Sequence, residues 1–333
     1  MTTPSRSVPR FPIYIPSKGR ADVALTMHTL DLLSVPYRVI VEEQQYRAYA
    51  AAYPQDRLLV LPREFQDEYD PCDGLGRTRS LGPGPARNFA WAHAIDEGHP
   101  WHWVMDDNIN CFGRLHQNMR RRVGDGMIFH AMEDFCLRYL NVGMAGPEYS
   151  MFLPSREARK APYQLNKRIF SCNLIRNDIE PRWRGRYNED LDLSIMILRA
   201  GYVTVRFDAF WQEKKATQRL PGGNTEEFYA REGGRTLAKS QLAVAMHPDI
   251  VTLTRKWGRW HHTADFSEFK NMQLIRDPAW TPPVSNPYRT RLTPNDHFRK
   301  PLNDKSTQAA AAGDLEHEVR LPPPWAGRRR PTD

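Results

Sequence analysis

The sequence predicts an α/β fold in which a mostly parallel central sheet carries helices on its faces. Two observations lead to this prediction. Short apolar runs typical of buried strands alternate with helix-like patterns through the first 110 residues, and polar residues follow directly where several of these runs end. Because a strand–helix–strand unit places its two strands in parallel, the alternation favours a parallel sheet with its functional edge at the strand ends.

The elements are predicted in chain order from hydrophobic periodicity and from turn residues. Strands are predicted at residues 11–16, 37–41, 57–61, 101–105, 142–145, 167–175 and 202–207. Helices are predicted at residues 44–53, 85–94, 127–140, 187–201 and 226–246, with an earlier one that presents Val23, Met27 and Leu30 on one face. Pro85 opens one helix, and Asn188 is the expected N-cap of another. Residues 62–84 and 218–225 are predicted loops, the first of them functional.

Composition limits the domain organisation and the environment. One main domain is predicted at 11–280, between a flexible stretch at 1–10 and a tail at 281–333 that is extended or disordered, because nine of the 27 prolines fall in this last part. The four cysteines are far apart with no Cys-x-x-Cys pair, which argues against a disulfide framework and a structural zinc site. No apolar run approaches the roughly 18 residues of a membrane helix. A protein without a membrane span, in a reducing cytoplasm, is expected.

The acidic run that follows the strand at 101–105 is the first candidate site. Asp106, Asp107 and Asn108 place two carboxylates and an amide at the end of a buried strand. Such hard oxygen ligands suit Mn²⁺ or Mg²⁺, whose remaining positions would take the diphosphate of a nucleotide. The alternative is a simple turn, since all three residues are good turn formers.

Basic and polar side chains are predicted around the same edge of the sheet. Donors for phosphate and base would come from the first turn and from the helix at 85–94, namely Ser17, Lys18, Gly19, Arg20, Arg87 and Asn88. The formal net charge of +8 and the isoelectric point near 9.3 fit a polyanionic partner, although many ordinary proteins share such values. Loop residues that simply face water are the alternative interpretation.

A second acidic pair, Glu189 and Asp190, begins the helix at 187–201. Carboxylates in the first turn of a helix complement its dipole, and this is one interpretation. The other makes Asp190 a general base that takes a proton from an attacking hydroxyl, with Glu189 in support. One acidic cluster for a metal and a separate one for base chemistry is the pattern that metal-assisted glycosyl transfer requires.

The chain resembles the GT-A glycosyltransferases, and more narrowly the TET-associated glycosyltransferase family of tailed bacteriophages and related bacterial elements. The motifs that carry the resemblance over residues 11–265 are Pro-Ser-Lys-Gly-Arg at 16–20, Gly-Pro-Ala-Arg-Asn at 84–88, Val-Met-Asp-Asp-Asn at 104–108 and Asn-Glu-Asp-Leu-Asp-Leu at 188–193. The resemblance implies a Rossmann-like GT-A domain that moves a sugar from a UDP-sugar to 5-hydroxymethylpyrimidines, such as 5-hydroxymethylcytosine, in DNA. A TET-like 5-methylpyrimidine dioxygenase would be the functional partner, and the bacterial host cytoplasm would be the location of a phage-encoded enzyme.

The resemblance also implies roles for individual residues. Pro16, Ser17 and Arg20 would line the nucleotide site, with Glu42 or Glu43 near the base and Arg87 near the donor. The run Asp106, Asp107 and Asn108 would take the place of the Asp-x-Asp element. Asp190 would match the base of inverting members. The chain departs from the wider fold at Asn108, where many relatives carry Asp, and this weakens the expected metal site.

A further stretch, residues 255–262, alternates cations with aromatic side chains. Contacts with DNA phosphates and a stacked base are expected from Arg255, Lys256, Trp257, Arg259, Trp260 and His262. Two tryptophans three residues apart also fit ordinary core packing.

Three other functions stay open at this point. A GT-A enzyme with a saccharide or protein acceptor would carry the same motifs. A sugar nucleotidyltransferase shares the nucleotide-binding half, but its glycine-rich first loop is absent because residues 16–20 contain only Gly19. A basic nucleic-acid-binding module without catalysis is the third alternative, and it would bind DNA in a salt-dependent way.

Overall fold

The structure, a computed structural model, describes residues 7–76, 80–116, 119–153, 161–214, 235–256 and 258–281. Its strands are β1 Ile13–Pro16, β2 Arg38–Val41, β3 Leu58–Val60, β4 Trp101–Met105, β5 Ile109–His116, β6 Met119–Arg122, β7 Val142–Tyr149, β8 Tyr163–Leu165, β9 Cys172–Arg176, β10 Val203–Lys214, β11 Val251–Lys256 and β12 Arg259–Ala264. Its helices are α1 Leu25–Leu32, α2 Tyr46–Ala52, α3 Arg63–Asp67, α4 Gly84–Asp96, α5 Met127–Cys136, α6 Glu189–Arg199 and α7 Arg235–Met246. No helix in these ranges is long and apolar enough to cross a membrane.

One large sheet organises the described residues, in the order β3-β2-β1-β4-β9-β7-β10-β5-β6, with β8 paired to β10. The first four strands are parallel neighbours. Strand β9 is antiparallel to both of its neighbours, β10 is parallel to β7, and β5 is antiparallel to β10 and β6. Along this path only β9 and β5 point against the others, so seven of the nine strands share a direction. The predicted α/β fold with a mostly parallel sheet is confirmed.

Helices cover both faces of the sheet. Successive residues of the central strands point to opposite faces, and apolar side chains occur on both. On one face, Met27 of α1 and Phe129 of α5 pack in the same core as Ile15 and Trp103. On the other face, the small side chains of α4, such as Ala90, pack against Tyr14 and Val104. Every residue of β4 is buried. The sheet therefore forms the middle layer, and the ends of its strands are where polar groups reach solvent.

Helix α1 is shorter than the periodicity predicts. Met27 and Leu30 are buried, whereas Val23 precedes the helix and is 36% exposed. Asn188 does occupy the N-cap position of α6, but in the left-handed conformation (φ 59°) and without a side-chain cap. Its amide instead donates to the carbonyl of Lys239 on α7, at 2.7 Å. Asn188 therefore joins two helices rather than capping one.

Several observed elements lie outside the predicted pattern, among them β5, β6 and β8. The short helix α3 lies in the predicted loop at 62–84, and β10 continues seven residues past the predicted end at 207. Strands β11 and β12 form an antiparallel pair, here called the C-terminal hairpin. The predictions for 218–225, for the start of the helix at 226–246, for residues 1–6 and for 282–333 lie outside the described residues.

Gly146 on β7 marks a close approach between strands. A Cβ atom at this position would lie 2.2 Å from the carbonyl oxygen of Cys172 and 2.6 Å from Cγ2 of Ile169. Because the nearest atom is backbone, β9 would have to move, and over-packing of this kind costs about 1–3 kcal/mol. Gly146→Ala is therefore expected to lower the free energy of unfolding by about that amount in urea denaturation.

Gly74→Ala is the matched control for this prediction, because a Cβ there meets nothing within 4 Å. Equal stability of the two variants would contradict the account of β7 and β9. The contact also bears on the candidate site, because the residue before Cys172, Ser171, accepts the backbone N–H of Asp106 at 2.8 Å.

Candidate active site

A cleft of about 1100 Å³ lies where β1, β2 and β4 end and where α4 and α6 begin; it is called here the strand-end cleft. Twelve of the residues predicted to form a site line it: Pro16, Ser17, Lys18, Arg20, Glu42, Glu43, Arg87, Asp106, Asp107, Asn108, Glu189 and Asp190. The cleft exceeds the range of about 300–1,000 Å³ typical of small-molecule pockets. It therefore has room for more than a nucleotide alone.

Arg87 of α4 connects the two acidic clusters. Its guanidinium donates to Oδ1 of Asp106 at 2.8 Å and to Oδ1 of Asp190 at 3.0 Å, and it lies 3.2 Å from Oε1 of Glu189. Only 3% of the Arg87 side chain is exposed. Buried charges are stable only when they are paired, and here one cation pairs with three carboxylates from two separate stretches of sequence. The clusters at 106–107 and 189–190 therefore face one cleft.

The pKa values around Arg87 follow from burial and from these pairings. Burial opposes ionisation of Asp106, but Lys214 and Arg87 more than offset this effect and hold its pKa below the usual value. Burial raises the pKa of Glu189, and Arg87 opposes the shift. Neighbouring carboxylates thus differ in acidity because Asp106 has two close cations.

Asn88, the neighbour of Arg87, was predicted to bind the nucleotide but lies behind the cleft. It does not line the cleft, because its side-chain amide binds the backbone of Trp183 through both atoms, donating to the carbonyl at 2.8 Å and accepting from the N–H at 3.1 Å. The guanidinium of Arg87 stacks over the Trp183 ring, 4.4 Å from its centroid. Asn88 therefore positions the indole on which Arg87 rests, and we assign it no contact with a nucleotide.

The two carboxylate oxygens of Asp190 differ in their hydrogen bonds. Its Oδ1 accepts from Arg87 and, at 3.3 Å, from Nδ2 of Asn173 on β9. No hydrogen bond to its Oδ2 occurs within the part of the chain that the structure describes. About 10% of the side chain is exposed. A carboxylate fixed through one oxygen, with the other beside a cleft, has the geometry of a general base.

Asp107 is committed to the first turn. Its Oδ1 pairs with Arg20 at 2.5 Å and its Oδ2 accepts from the Ser17 hydroxyl at 2.7 Å. The same hydroxyl lies 2.7 Å from the hydroxyl of Tyr49, which also accepts the N–H of Arg20 at 3.1 Å. Burial raises the pKa of Asp107 despite the opposing effect of Arg20. These contacts fix the turn after β1 against the end of β4.

The second strand contributes an acidic group to the other end of the cleft. Lys18 donates to Oε1 of Glu42 at 3.1 Å, and Gln66 of α3 donates to the same oxygen at 3.5 Å. Lys18 is 40% exposed on its side chain, so this is a solvent-accessible pair. The arrangement offers both a cation and an acceptor where β1 and β2 end.

Several residues of the cleft were not predicted from the sequence. They are Arg168, Arg186, Lys214 and Lys239 in the lining, with Ser171 and Asn173 behind them. Lys214 was not predicted because the strand was expected to end at residue 207, whereas β10 continues to 214 beside β5. The aromatic pair Phe210 and Trp211, which is typical of strands, was the only signal in the sequence of this continuation.

The predicted metal role of Asp106, Asp107 and Asn108 stays a prediction, and the donor set does not fit it well. Both oxygens of Asp106 pair with cations, Arg87 and Lys214, and both oxygens of Asp107 bind Arg20 and Ser17. Divalent Mn²⁺ or Mg²⁺ needs carboxylate oxygens of this kind for itself. Among the described residues, no group of three or more His, Cys, Asp or Glu side chains is placed to hold a metal.

The C-terminal hairpin lies beside α7 rather than in the cleft. It carries most of the residues predicted to bind DNA, namely Arg255, Lys256, Arg259, Trp260 and His262, whereas Trp257 lies outside the described residues. Arg255 lies over the Trp260 ring at 5.8 Å. Burial, together with the charges of Arg168 and Lys239, lowers the pKa of His262 to about 4. Because Arg168 and Lys239 line the cleft, the hairpin is close to its rim.

Comparisons with known proteins give one clear relationship. No curated protein matches the chain. Among solved structures, the crystal structure of mannose-1-phosphate geranyltransferase from Thermus thermophilus is similar at 12% identity, over 81% of this chain and 73% of that one, with a TM-score of 0.29 that is too low to bear on the fold. A family model described as TET-Associated Glycosyltransferase matches residues 11–223. The match spans β1 to β10 and both acidic clusters, and the chain belongs to the TET-associated glycosyltransferase family.

Proposed function

We propose that this glycosyltransferase moves a sugar from a nucleotide sugar, a UDP-sugar, to the hydroxyl of a 5-hydroxymethylpyrimidine in DNA, with 5-hydroxymethylcytosine as the acceptor. The family supplies the reaction class. The observation that carries the proposal is the pairing of Asp106, Glu189 and Asp190 with one buried guanidinium in one cleft. A TET-like dioxygenase would make the acceptor hydroxyl, and both enzymes would work in the host cytoplasm.

The donor is proposed to lie along the ends of β1, β2 and β4. The nucleoside would occupy the side of Lys18 and Glu42, where a cation and a carboxylate are both available for hydrogen bonds. The diphosphate would lie beside the first turn and Arg87. Nucleotides bind beyond the carboxyl ends of strands in open α/β sheets, and this placement follows that rule.

In the proposed chemistry, Asp190 is the general base. Its Oδ2 accepts the proton of the acceptor hydroxyl while the hydroxyl oxygen attacks the anomeric carbon of the sugar. The bond from that carbon to the diphosphate breaks, and its electron pair leaves with the nucleoside diphosphate. Arg87 and Asn173 hold Oδ1, so the carboxylate keeps its direction during the displacement. A direct displacement of this kind inverts the configuration at the anomeric carbon.

The DNA acceptor is supported by the charges beside Asp190. Lys239 and Arg168 line the cleft, and the C-terminal hairpin continues the basic surface with Arg255, Lys256 and Arg259, all exposed. Such a surface neutralises phosphates, and it leads from solvent to the end of the cleft where α6 begins. Because a base inside a duplex cannot reach a buried carboxylate, the target nucleotide is proposed to flip out of the stack.

The double variant Arg255→Ala/Arg259→Ala tests the hairpin. It is expected to bind DNA more weakly and to lower the salt dependence of log K, by about 0.9 per lost phosphate contact and therefore by up to about 1.8. Fluorescence anisotropy at several salt concentrations measures this slope, and the KM for the nucleotide sugar should not change. Arg47→Ala, an exposed arginine on α2 outside the cleft, is the control. A slope unchanged from wild type would remove the hairpin from the DNA interface.

Mass spectrometry of nucleosides tests the function itself. The purified protein is incubated with duplex DNA that contains 5-hydroxymethylcytosine and with UDP-glucose, UDP-galactose or UDP-N-acetylglucosamine in separate reactions. We expect one of them to give a nucleoside heavier by one sugar residue. DNA with 5-methylcytosine, which lacks the hydroxyl, is the control and should stay unmodified. If every DNA reaction is blank while a saccharide or peptide acceptor gains a sugar, the proposed acceptor is wrong.

A further inference from the structure

Lys214 holds a position in the strand-end cleft that sequence motifs do not mark. It is the last residue of β10, and a bulge between Glu213 and Lys214 places it opposite Ile109, directly after the acidic run. Its Nζ donates to Oδ2 of Asp106 at 3.0 Å and to Oγ of Ser171 at 2.6 Å. The hydroxyl of Tyr149 donates to the Lys214 carbonyl at 3.0 Å and fixes its backbone. The ammonium is therefore held in place before any ligand arrives.

Among the described residues, the ammonium of Lys214 has two hydrogen-bond partners. A lysine carries three N–H donors, and those to Asp106 and Ser171 account for two. The side chain is 20% exposed and lines the cleft, so the third donor can reach a ligand there. The carboxylate of Asp106, 3.0 Å from Nζ, favours the cationic form of the side chain.

The carboxylates that would hold a divalent ion are occupied by these cations. Asp106 pairs with Lys214 and Arg87 through separate oxygens, and Asp107 pairs with Arg20 and Ser17. A metal at Asp106 or Asp107 would have to displace Lys214, Arg87 or Arg20 from these oxygens, and separating a buried ion pair is strongly unfavourable. Side-chain cations therefore already occupy the places beside these carboxylates that a metal would take.

We propose that Lys214, supported by Arg87, neutralises the diphosphate of the donor in place of a divalent metal, so that sugar transfer proceeds without one. The inference rests on the proposed function, since it concerns the same donor. When the bond between the anomeric carbon and the diphosphate oxygen breaks, the electron pair stays on that oxygen. The third N–H of Lys214 donates to the charge that develops there, and no proton leaves the ammonium. The proton of the acceptor goes to Asp190.

The first measurement is the binding of UDP by calorimetry in excess EDTA. The wild-type protein is expected to bind UDP there as well as in Mn²⁺, within about threefold. Lys214→Met, which keeps the length of the side chain but removes its charge, should bind at least tenfold more weakly, and added Mn²⁺ should not restore the affinity. Lys214→Arg keeps a cation and should retain more affinity than Lys214→Met. Lys270→Met, at an exposed lysine outside the cleft, is the control.

The second measurement is sugar transfer to hydroxymethylated DNA with and without EDTA. Activity that survives chelation within about twofold supports the inference. Activity that EDTA abolishes and Mn²⁺ restores, or wild-type binding of UDP only when Mn²⁺ is present, overturns the role of Lys214 while the proposed function stands. If no sugar reaches DNA under either condition but UDP binds in EDTA and depends on Lys214, the proposed acceptor fails and the assignment of Lys214 stands.

Discussion

Replacing Asp190 by Asn is expected to lower kcat by a factor of about 10²–10⁴, the usual contribution of a positioned general base. The amide has the shape of the carboxylate, and its oxygen can still accept from Arg87 and Asn173. It cannot take the proton of the acceptor hydroxyl. Binding of UDP should therefore change little, and the loss should appear in single-turnover rates with saturating donor and DNA.

The matched control lies two residues further along the same helix. Asp192 pairs with Arg184 and His247 on the side of α6 that faces away from the cleft. If Asp190 only complemented the helix dipole, Asp190→Asn would lower stability and leave turnover nearly intact. We expect the opposite result, in which Asp190→Asn keeps the thermal midpoint of unfolding and loses turnover. Asp192→Asn should lower the thermal midpoint and keep turnover when it is assayed well below that temperature.

Arg87→Lys is expected to lose about ten- to a hundredfold in kcat/KM even though it keeps the positive charge. A lysine has a single nitrogen, so it cannot donate to Asp106 and Asp190 from two ends of one rigid plane as Arg87 does. A hydrogen bond to a charged group contributes about 1.5–3 kcal/mol, and each 1.4 kcal/mol is about a factor of ten. Steady-state kinetics with hydroxymethylated DNA measures the effect.

Arg182→Lys separates this effect from the loss of an arginine stacked on tryptophan. Arg182 lies over the Trp91 ring at 4.3 Å, as Arg87 lies over Trp183, but it does not line the cleft. Its replacement should leave kcat/KM within about twofold. An Arg87→Lys variant as active as wild type would show that the link between the acidic clusters is dispensable.

Much of the fold follows from local sequence. The run 101–105 is largely aromatic and aliphatic and is followed at once by Asp106, which predicts a strand buried on both faces, as the structure has it. The place of β9 is different. Its residues predict a strand, but nothing local says that it enters antiparallel between β4 and β7. The strand order depends on contacts between parts of the chain that are far apart in sequence. Gly146 fits this order because a side chain there would clash with the carbonyl oxygen of Cys172 on β9.

The candidate site also contains residues that could be predicted from the sequence and residues that could not. Asp106 and Asp190 each lie at a clear element boundary, so both could be predicted, whereas their pairing with one guanidinium, that of Arg87, is seen only in the structure. Lys214 could not be found by such reasoning. Its ammonium reaches Asp106 only because β10 passes its polar middle at Asp208 and bulges near its end. This contact is the basis of the proposal that the acidic run pairs with fixed cations in place of a metal.

The two acidic clusters are proposed to serve one bound donor from opposite ends of its reacting bond. A crystal structure of the Asp190→Asn variant with an intact UDP-sugar tests this most directly. We expect the diphosphate in the strand-end cleft between the first turn and Lys214, with the anomeric carbon open toward residue 190 and room for an oxygen at about 3–3.5 Å from it. A nucleotide bound outside this cleft, or a sugar that points away from residue 190, would contradict this proposal.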